Sequence, residues 1–514
     1  MNLLATTAAI PILGFFIVLC LPRESKAPFI AAFTASLAAF FVSLALIPSV
    51  LSKGADFSSV VDASWIDNPS LGIHFHLGVD GVNLWLILLT TFLLPIAIWA
   101  ARSMIRERQK TFYALLLLFE FGIICVFSAL DLFLFYVFWE VALVPMYLMV
   151  GSWGGPRRGP AALKFFVYTM LGSVLMLASI LYLHSLTGTF DYPDLIRGLS
   201  SGRLALTGPQ QTLLFLGFFA AFAIKVPIFP LHTWFPETYF QAPMPATLLL
   251  AALMSKMGAY GLLRYSLTLF PNAARNATSW IAVLAIIGIL YGALLAFIQP
   301  NIKRLIAYSS FSHLGFIVLG IFTLTQQGED GAVYQMIAHG ISISALFLLA
   351  GYLEQRRGSL EIADFGGVAS PAPGLATAFM IATLASIGLP TLCNFIGEFL
   401  ILQGAALANF PWAGWAAGGV ILSAVYMLWM YQRTFWLPKT AQTEKLPDLT
   451  RRDWAPLVPM ILLMVWLGSY TQSFMPPISS ATSRLLQENK ASQEYKVRLF
   501  RPGVVQVAEV AHAR

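Results

Sequence analysis

The chain has 514 residues, of which 58% are hydrophobic and 11% charged, and its formal net charge is +7. A soluble domain is about a quarter charged, so this composition, with a mean hydropathy of +0.75, excludes an ordinary soluble protein. The three cysteines, Cys20, Cys125 and Cys393, lie far apart in apolar segments, and the chain has no phosphate-binding or dinucleotide-binding glycine motif. Disulfide, iron–sulfur, metal and nucleotide sites therefore have no support in the sequence.

Apolar runs near the roughly 20 residues that cross a bilayer recur along the chain and predict an all-α polytopic membrane protein with about fourteen transmembrane helices. The first run lacks a preceding basic segment and a following small-residue cleavage site, so we expect a mature span and not a signal peptide. The predicted spans are 2–21, 28–51, 79–101, 112–130, 132–151, 161–187, 211–230, 245–266, 278–299, 302–325, 331–353, a broken span made of 371–391 and 393–410, 412–436 and 455–474.

The basic residues in the loops predict the orientation of these spans, because cytoplasmic loops are rich in Lys and Arg. With the N-terminus outside, the inner loops hold Arg23, Lys26, Arg102, Arg106, Arg108, Lys110, Arg157, Arg158, Lys303, Arg304, Arg356, Arg357, Arg433, Lys439, Lys445, Arg451 and Arg452. We call this side the basic face. The opposite loops hold only Lys53, Arg197, Arg203, Arg264 and Arg275, although a basic C-terminal tail also lies on that side. The positive charge is thus explained by orientation, and no nucleic-acid partner is needed.

Ionisable residues inside the apolar runs are the candidate functional groups. A charge at the centre of a bilayer costs about 2.5–3.5 kcal/mol on insertion scales, so such groups face partners or water. The main candidates are Glu140, Lys225, Lys256, His313, His339 and Glu398. Three further ionisable residues are weaker candidates for a functional role, because a structural role also explains them or because they lie nearer the end of a span: Glu120, Lys164 and His184. Lys164 can snorkel to the headgroups, and either histidine of the main set also fits an ordinary core position.

Two candidates stand beside helix breaks. Two prolines follow Lys225 within KVPIFPLH (225–232), and Glu398 closes GLPTLCNFIGE (388–398). Proline removes a backbone donor and interrupts a helix, and irregular backbone at membrane depth is tolerated only against protein or water. Five spans separate equivalent points of the two breaks. Because each span crosses the membrane once, an odd number means that the second unit has the opposite orientation in the membrane to the first. This arrangement is typical of transporters built from inverted repeats.

These residues suggest a proton relay. A carboxylate stabilises a buried ammonium group, so we expect Glu140 to hold Lys225 charged and to release its proton when the pair weakens. The proton would then move through water and Lys256 to His313, His339 and finally Glu398.

At these positions the chain resembles the antiporter-like proton-translocating subunits of respiratory complex I, NADH:quinone oxidoreductase. The segments that carry the resemblance are GVDGVNLWLILLTTFL, FYVFWEVALVPMYLMVG (135–151), AFAIKVPIFPLHTWFPETYFQAPMPATLLLAALMSKMGAYGLLR (221–264), IKRLIAYSSFSHLGF (302–316) and GLPTLCNFIGEF (388–399). In that family, Glu140 and Lys225 correspond to the ion pair, Lys256 to the central lysine and Glu398 to the terminal group. His313 and His339 correspond to histidines of the central hydrophilic axis. Two sibling subunits have lysine at the position of Glu398.

The resemblance implies fourteen helices with two inverted five-helix units. The corresponding division of the chain is an N-terminal three-helix segment (1–110), a first repeat (111–266), a second, inverted repeat (278–436), and a last transmembrane helix with the C-terminal tail (437–514). It also implies a membrane-arm subunit that moves protons beside other membrane-arm subunits and membrane lipids, with the redox arm contacted only indirectly. No flavin, iron–sulfur or nicotinamide cofactor is expected in this chain. We expect a bacterial inner membrane in preference to a mitochondrial one.

Two other functions remain open from the sequence. A subunit of a multisubunit cation/proton antiporter would share the broken lysine helix, and co-purification with NADH-oxidising chains would separate the two. A non-conducting membrane scaffold would use the same polar residues only to pack helices.

Overall fold

A computed structural model describes residues 2–23, 25–66, 72–441 and 443–500, with the side chains described up to residue 489. The part of the predicted C-terminal tail beyond residue 500 lies outside the described residues.

Helices make up most of the described chain. The first part contains α1 (Leu3–Cys20), α2 (Ala27–Leu44), α3 (Leu46–Lys53), α4 (Leu84–Met104), α5 (Gln109–Ser128), α6 (Leu132–Trp153), α7 (Arg158–Thr187), α8 (Tyr192–Ser201), α9 (Gly208–Lys225), α10 (Phe235–Gln241), α11 (Met244–Leu249), α12 (Ser255–Gly261) and α13 (Leu267–Leu269). The second part contains α14 (Pro271–Phe297), α15 (Ile302–Phe322), α16 (Gln326–Arg357), α17 (Pro373–Ser386), α18 (Cys393–Ala408), α19 (Phe410–Tyr431), α20 (Arg451–Ser469) and α21 (Met475–Phe500). Two short 3₁₀ turns cover Ile362–Asp364 and Thr471–Ser473.

Eleven helical segments of the described chain are long and apolar enough to cross a membrane, and two shorter apolar helices, α17 and α18, accompany them. Some of these segments are completely enclosed by the rest of the protein, as α16 is, whereas α7 and α19 present large apolar side chains outward. Leu171 on α7 and Ile421 on α19 are 63% and 68% exposed. Such faces are stable only against lipid or another chain, and the prediction of a helical multi-pass membrane protein is confirmed.

A β-hairpin is the one departure from an all-α architecture in the described residues. Strand β1 (Ser58–Ile66) pairs antiparallel with β2 (Ile73–Val79) in the predicted loop between the second and third spans. It is anchored to the helices through the Leu130 amide, which donates to the carbonyl of His76 over 2.8 Å. The predicted all-α class therefore describes the membrane helices, and this loop adds a two-stranded hairpin that the sequence analysis did not predict.

The backbone shows the same hydrogen-bonded motif twice, 170 residues apart. An isolated antiparallel bridge joins Asp131 to Asp191, and another joins Asn301 to Glu361. Asp131 and Asn301 also cap α6 and α15 with their side chains. A π-helical turn at Leu262–Ser266 has its counterpart at Gln432–Trp436, with the same offset. The two parts of the chain thus share local backbone geometry at equivalent points.

Both proline-containing segments interrupt helices, as the sequence predicts. Helix α9 ends at Lys225 and α10 begins at Phe235. Helix α17 ends at Ser386 and α18 begins at Cys393, with Gly388 between them at φ 74°. A glycine adopts this left-handed conformation without steric penalty.

Candidate functional site

Lys256 lies at the centre of the protein on a helix with irregular flanks. Its helix, α12, is bracketed by π-helical turns at Leu250–Met254 and Leu262–Ser266. The Lys256 Nζ donates to the carbonyl of Ala251 over 2.7 Å and lies 2.7 Å from Nδ1 of His339 on α16. Lys256 and His339 are both fully buried. π-helical turns are frequent at functional sites, and here one of them supplies the acceptor that holds the ammonium group.

A second step leads from His339 to the other end of the site. The rings of His339 and His313, which lies on α15, have centroids 5.5 Å apart. Nδ1 of His313 lies 2.9 Å from Oε1 of Glu398 on α18, and both side chains are buried. Four of the six predicted residues therefore form one continuous line, Lys256–His339–His313–Glu398. The structure reverses the predicted order of the two histidines, because it is His339 that contacts the lysine.

Glu398 is held by an amide and by the helix break. Nε2 of Gln335, one turn of α16 below His339, donates to its Oε1 over 3.0 Å. Its other oxygen faces Gly388, where an added Cβ would lie 2.9 Å from Oε2. The break between α17 and α18 thus brings backbone close to the carboxylate. Gln335 was not predicted, since a neutral amide near the polar start of a helix gives no distinct sequence signal.

Glu140 and Lys225 form the other end of the site. The Lys225 side chain is buried, and its Nζ lies 4.9 Å above the ring of Trp139, the neighbour of Glu140 in α6. The Lys225 ammonium and the Glu140 carboxylate interact electrostatically. Among the described side chains, these two do not approach closely enough to form a direct ion pair. A cation over an indole face is stabilised by the ring quadrupole, so Trp139 holds the lysine beside the glutamate.

Helix packing places the two ends near each other. Helix α12 approaches the end of α9 so closely that a Cβ on Gly258 would lie 2.7 Å from the Phe222 carbonyl and 3.0 Å from the Val226 amide. Lys225 is the last residue of α9 and Lys256 is two residues before Gly258. The glycine therefore permits the contact that brings the two lysine-bearing helices together.

The three secondary candidates lie apart from this line. Lys164 donates to the Thr233 carbonyl over 2.6 Å at a partly exposed position. Glu120 is fully buried on α5, and His184 stacks on Phe190 with ring centroids 4.0 Å apart. None of the three contacts Lys256, His339 or Glu398 through a hydrogen bond or ion pair among the described side chains.

Arg264 corrects the loop assignment made from the sequence. The prediction placed it in a loop, but the structure places it inside the Met244–Leu269 segment with no exposed surface. Its Nη2 lies 2.6 Å from Asp80, which also binds Arg484 of α21 at 2.8 Å. The cluster joins α21 to the membrane helices, and Gly81 beside it leaves no room for a Cβ against the Pro477 carbonyl. The π-helical turn that carries Arg264 lies at the end of the predicted span 245–266, and the prediction counted this arginine with the loop that follows.

Two histidines of the hairpin lie outside the membrane helices and outside the line. His74 pairs with Asp62 at 2.8 Å, and hydrogen bonding to this carboxylate raises the pKa of the imidazole. Nδ1 of His76 lies 2.5 Å from Asp191, one of the bridge residues at the start of α8. Within the described residues, no group of His, Cys, Asp and Glu could hold a metal ion. The two hairpin histidines therefore contact nearby carboxylates, His74 that of Asp62 and His76 that of Asp191.

The line of buried groups has the chemistry of a proton conductor. Lysine, histidine and glutamate each bind and release a proton, and neighbouring members approach within hydrogen-bond distance except at the histidine–histidine step. Each imidazole offers two nitrogens, so it can accept a proton on one side and donate on the other. The arrangement therefore supplies groups that can take part in proton transfer on both sides of the histidine–histidine step.

Comparisons with known proteins agree on one family. Residues 129–425 match the family model described as NADH:quinone oxidoreductase/Mrp antiporter, transmembrane. A protein of Rhodobacter capsulatus named NADH-quinone oxidoreductase subunit M is 41% identical over 469 residues, which cover 90% of each chain.

Solved structures share the fold. A chain in the structure of respiratory complex I from Thermus thermophilus with bound NADH has a TM-score of 0.84 and 33% identity, covering 95% of this chain and 100% of that one. A chain of the Mrp complex from Dietzia sp. has a TM-score of 0.82 at 20% identity, covering 96% of this chain and 99% of that one, and shows the fold alone.

The Asp80 cluster gives a stability prediction. Replacing Asp80 with Asn leaves Arg264 buried without its counter-charge, and breaking a buried ion pair costs about 3–5 kcal/mol. We expect a clear drop in the thermal unfolding temperature of the purified protein. Asp62→Asn is the control, because its pair with His74 is about half exposed and contributes little. Equal shifts for both variants would contradict the structural role of the cluster.

Proposed function

The chain belongs to the NADH:quinone oxidoreductase/Mrp antiporter family of membrane proteins, and we propose that it is a proton-translocating membrane-arm subunit of an NADH:quinone oxidoreductase. The observation that carries the proposal is the buried line Lys256–His339–His313–Glu398. Burying a charged group inside a membrane costs free energy. This chain aligns four titratable groups there, and no single structural ion pair accounts for the presence of all four.

The proposed architecture has fourteen transmembrane helices and two inverted five-helix repeats, at 111–266 and 278–436, after an N-terminal segment (1–110) and before a last helix and tail (437–514). Support comes from the eleven apolar segments, from the broken helices α9–α10 and α17–α18, and from α20. The backbone motifs repeated at an offset of 170 residues also support the two units.

In the proposed mechanism, Glu140 and Lys225 form the switch. When the carboxylate is close, the ammonium form of Lys225 is favoured, and when the interaction weakens, the lysine releases its proton. The proton reaches Lys256 across the α9–α12 contact and then passes through His339 and His313 to Glu398. The groups differ in charge, so the arrival of a proton at one position changes the proton affinity of the next.

The same proposal covers cofactors, partners and location. The relatives are subunits of an enzyme complex, and we place the flavin, iron–sulfur and nicotinamide chemistry in other chains, which makes this chain part of a translocase. Other membrane-arm subunits would cover two surfaces: the α6 face with Glu140 and Val144, and the exposed break at Leu389. We propose a bacterial inner membrane, with the basic face in the cytoplasm.

The alternative is a subunit of a multisubunit cation/proton antiporter, since the matching family model is described for both NADH:quinone oxidoreductase and Mrp antiporter proteins. The higher identity to an NADH-quinone oxidoreductase subunit supports the first function. A complex that lacks NADH-oxidising chains after mild purification would favour the antiporter.

Replacing Glu140 with Gln tests the switch directly. The variant keeps the shape of the side chain but removes the charge beside Lys225. An opposite charge changes the protonation equilibrium of its neighbour by about tenfold or more, so we expect proton translocation per NADH oxidised to fall by the share that this subunit contributes. The measurement uses the purified complex in sealed vesicles with a pH-sensitive dye.

Glu107→Gln is the matched control, since Glu107 is exposed on the basic face, and it should translocate protons normally. A fully active, stably assembled Glu140→Gln complex would reject Glu140 as part of the switch. A Lys225→Ala complex that still pumps would favour the scaffold.

A pair of glycine variants tests the terminal carboxylate. Gly388 and Gly358 have φ values of 74° and 76°, so alanine strains the backbone similarly at both, by about 1–2 kcal/mol. Only at Gly388 does the new methyl group meet Glu398; at Gly358 nothing lies within 4 Å. We expect Gly388→Ala to reduce proton translocation more than Gly358→Ala at equal expression. Equal proton translocation by the two variants would show that the contact between Gly388 and Glu398 does not affect the function of this carboxylate.

A further inference from the structure

An apolar cleft opens on the side of the protein between α2, α4 and α20. It consists of two cavities of about 520 and 240 Å³ that share the lining residues Phe40, Phe92 and Pro459. Along α4 the lining extends from Trp85 to Trp99. At 1.5 Å per residue this is a length of about 21 Å, well over half of the roughly 30 Å hydrocarbon core. The cleft therefore runs along the membrane normal.

The dimensions and the lining of the cleft fit a hydrocarbon chain. The lining is almost wholly apolar, with phenylalanine, leucine and proline side chains from three helices. An acyl chain fits these dimensions and this chemistry.

Three cationic residues lie beside the end of the cleft at the basic face. The Trp99 Nε1 donates to the carbonyl of Arg452 over 3.0 Å, which places the start of α20 at this mouth. The Arg102 guanidinium lies 4.8 Å from the ring of Phe29, which itself packs against Trp99 with centroids 6.1 Å apart. Lys26 stands three residues before Phe29, at the start of α2.

These cations are available to a ligand. Lys26, Arg102 and Arg452 are all exposed. The acid next to Arg452 in sequence, Asp453, is already bound to Arg356 at 2.7 Å. Clusters of Lys and Arg at the membrane surface attract anionic headgroups.

We propose that this cleft binds an anionic phospholipid, with its phosphate between Lys26, Arg102 and Arg452 and its acyl chain along Phe92 and Pro459. The lipid would fill the gap between α2, α4 and α20, whose closest described approach at the basic mouth is the hydrogen bond from Trp99 to the Arg452 carbonyl. The proposal is independent of proton translocation, since it depends on the shape of the cleft and the charge at its mouth.

The test measures lipid retention by the full-length chain. The chain is purified together with the chains that remain bound to it, in micelles that contain phosphatidylglycerol and phosphatidylcholine. Native mass spectrometry counts the bound lipids. Each cation near the surface contributes about fivefold in affinity, so the double variant Arg102→Gln/Arg452→Gln should lower phosphatidylglycerol affinity by roughly 25-fold. The control Arg157→Gln/Arg158→Gln changes two exposed cations of the basic face outside the cleft lining.

A second variant tests the apolar part. Leu462 lines the larger cavity but is 64% exposed, so Leu462→Trp narrows the cleft without disturbing the core. It should also release the lipid while all arginines remain. The proposal would be overturned if the chain retained phosphatidylcholine as well as phosphatidylglycerol, or if either variant retained phosphatidylglycerol as the unmodified chain does. Density for a neighbouring protein chain inside the cleft would also overturn it.

Discussion

The structure depends on one constraint: an ionisable side chain enclosed among apolar helices must find a partner that shares or stabilises its charge. Lys256 satisfies this constraint through His339, and His313 through Glu398, while the two imidazole rings face each other at 5.5 Å between centroids. Lys225 satisfies it through the face of Trp139 and the nearby Glu140. The segments that carry Lys256, His313 and His339 (Met244–Leu269, α15 and α16) are the most enclosed of the candidate membrane spans in the described chain. Lipid-facing helices such as α7 and α19 surround this centre.

Helix irregularities position the groups. The π-helical turns around α12 turn the Ala251 carbonyl toward the Lys256 ammonium, and the break before α18 brings Gly388 against Glu398. In the interior of a regular helix each carbonyl already accepts a backbone hydrogen bond, whereas helix ends and breaks leave some backbone groups without one. The irregular segments are therefore where backbone can take part in holding charge inside the membrane, and each one lies next to a titratable residue.

The sequence predicted the members of the site better than their arrangement. Lys225, Lys256 and Glu398 stand out because a single charge in an apolar run has few structural explanations, and the prolines after Lys225 mark the end of α9. The order of the two histidines could not be predicted, since it depends on how α15 crosses α16. Arg264 was counted with a loop because it lies near the end of its predicted span, whereas its partner Asp80, distant in sequence, holds it inside the protein. The β-hairpin was missed because its alternating segment, SSVVDASWI, is too polar to register among membrane spans.

The central claim is that the two ends of the site belong to one conducting path, although Lys225 and Lys256 share no direct hydrogen bond among the described side chains. Buried polar atoms require partners, and water is the remaining candidate between the two lysines. A cryo-EM map of the assembled complex, at a resolution that shows ordered water, measures this directly. The account predicts waters in hydrogen-bonding steps of about 3 Å from the Lys225 ammonium to Lys256, and onward beside the imidazoles to Glu398. A dry, apolar barrier between the two lysines in every resolved state would contradict it.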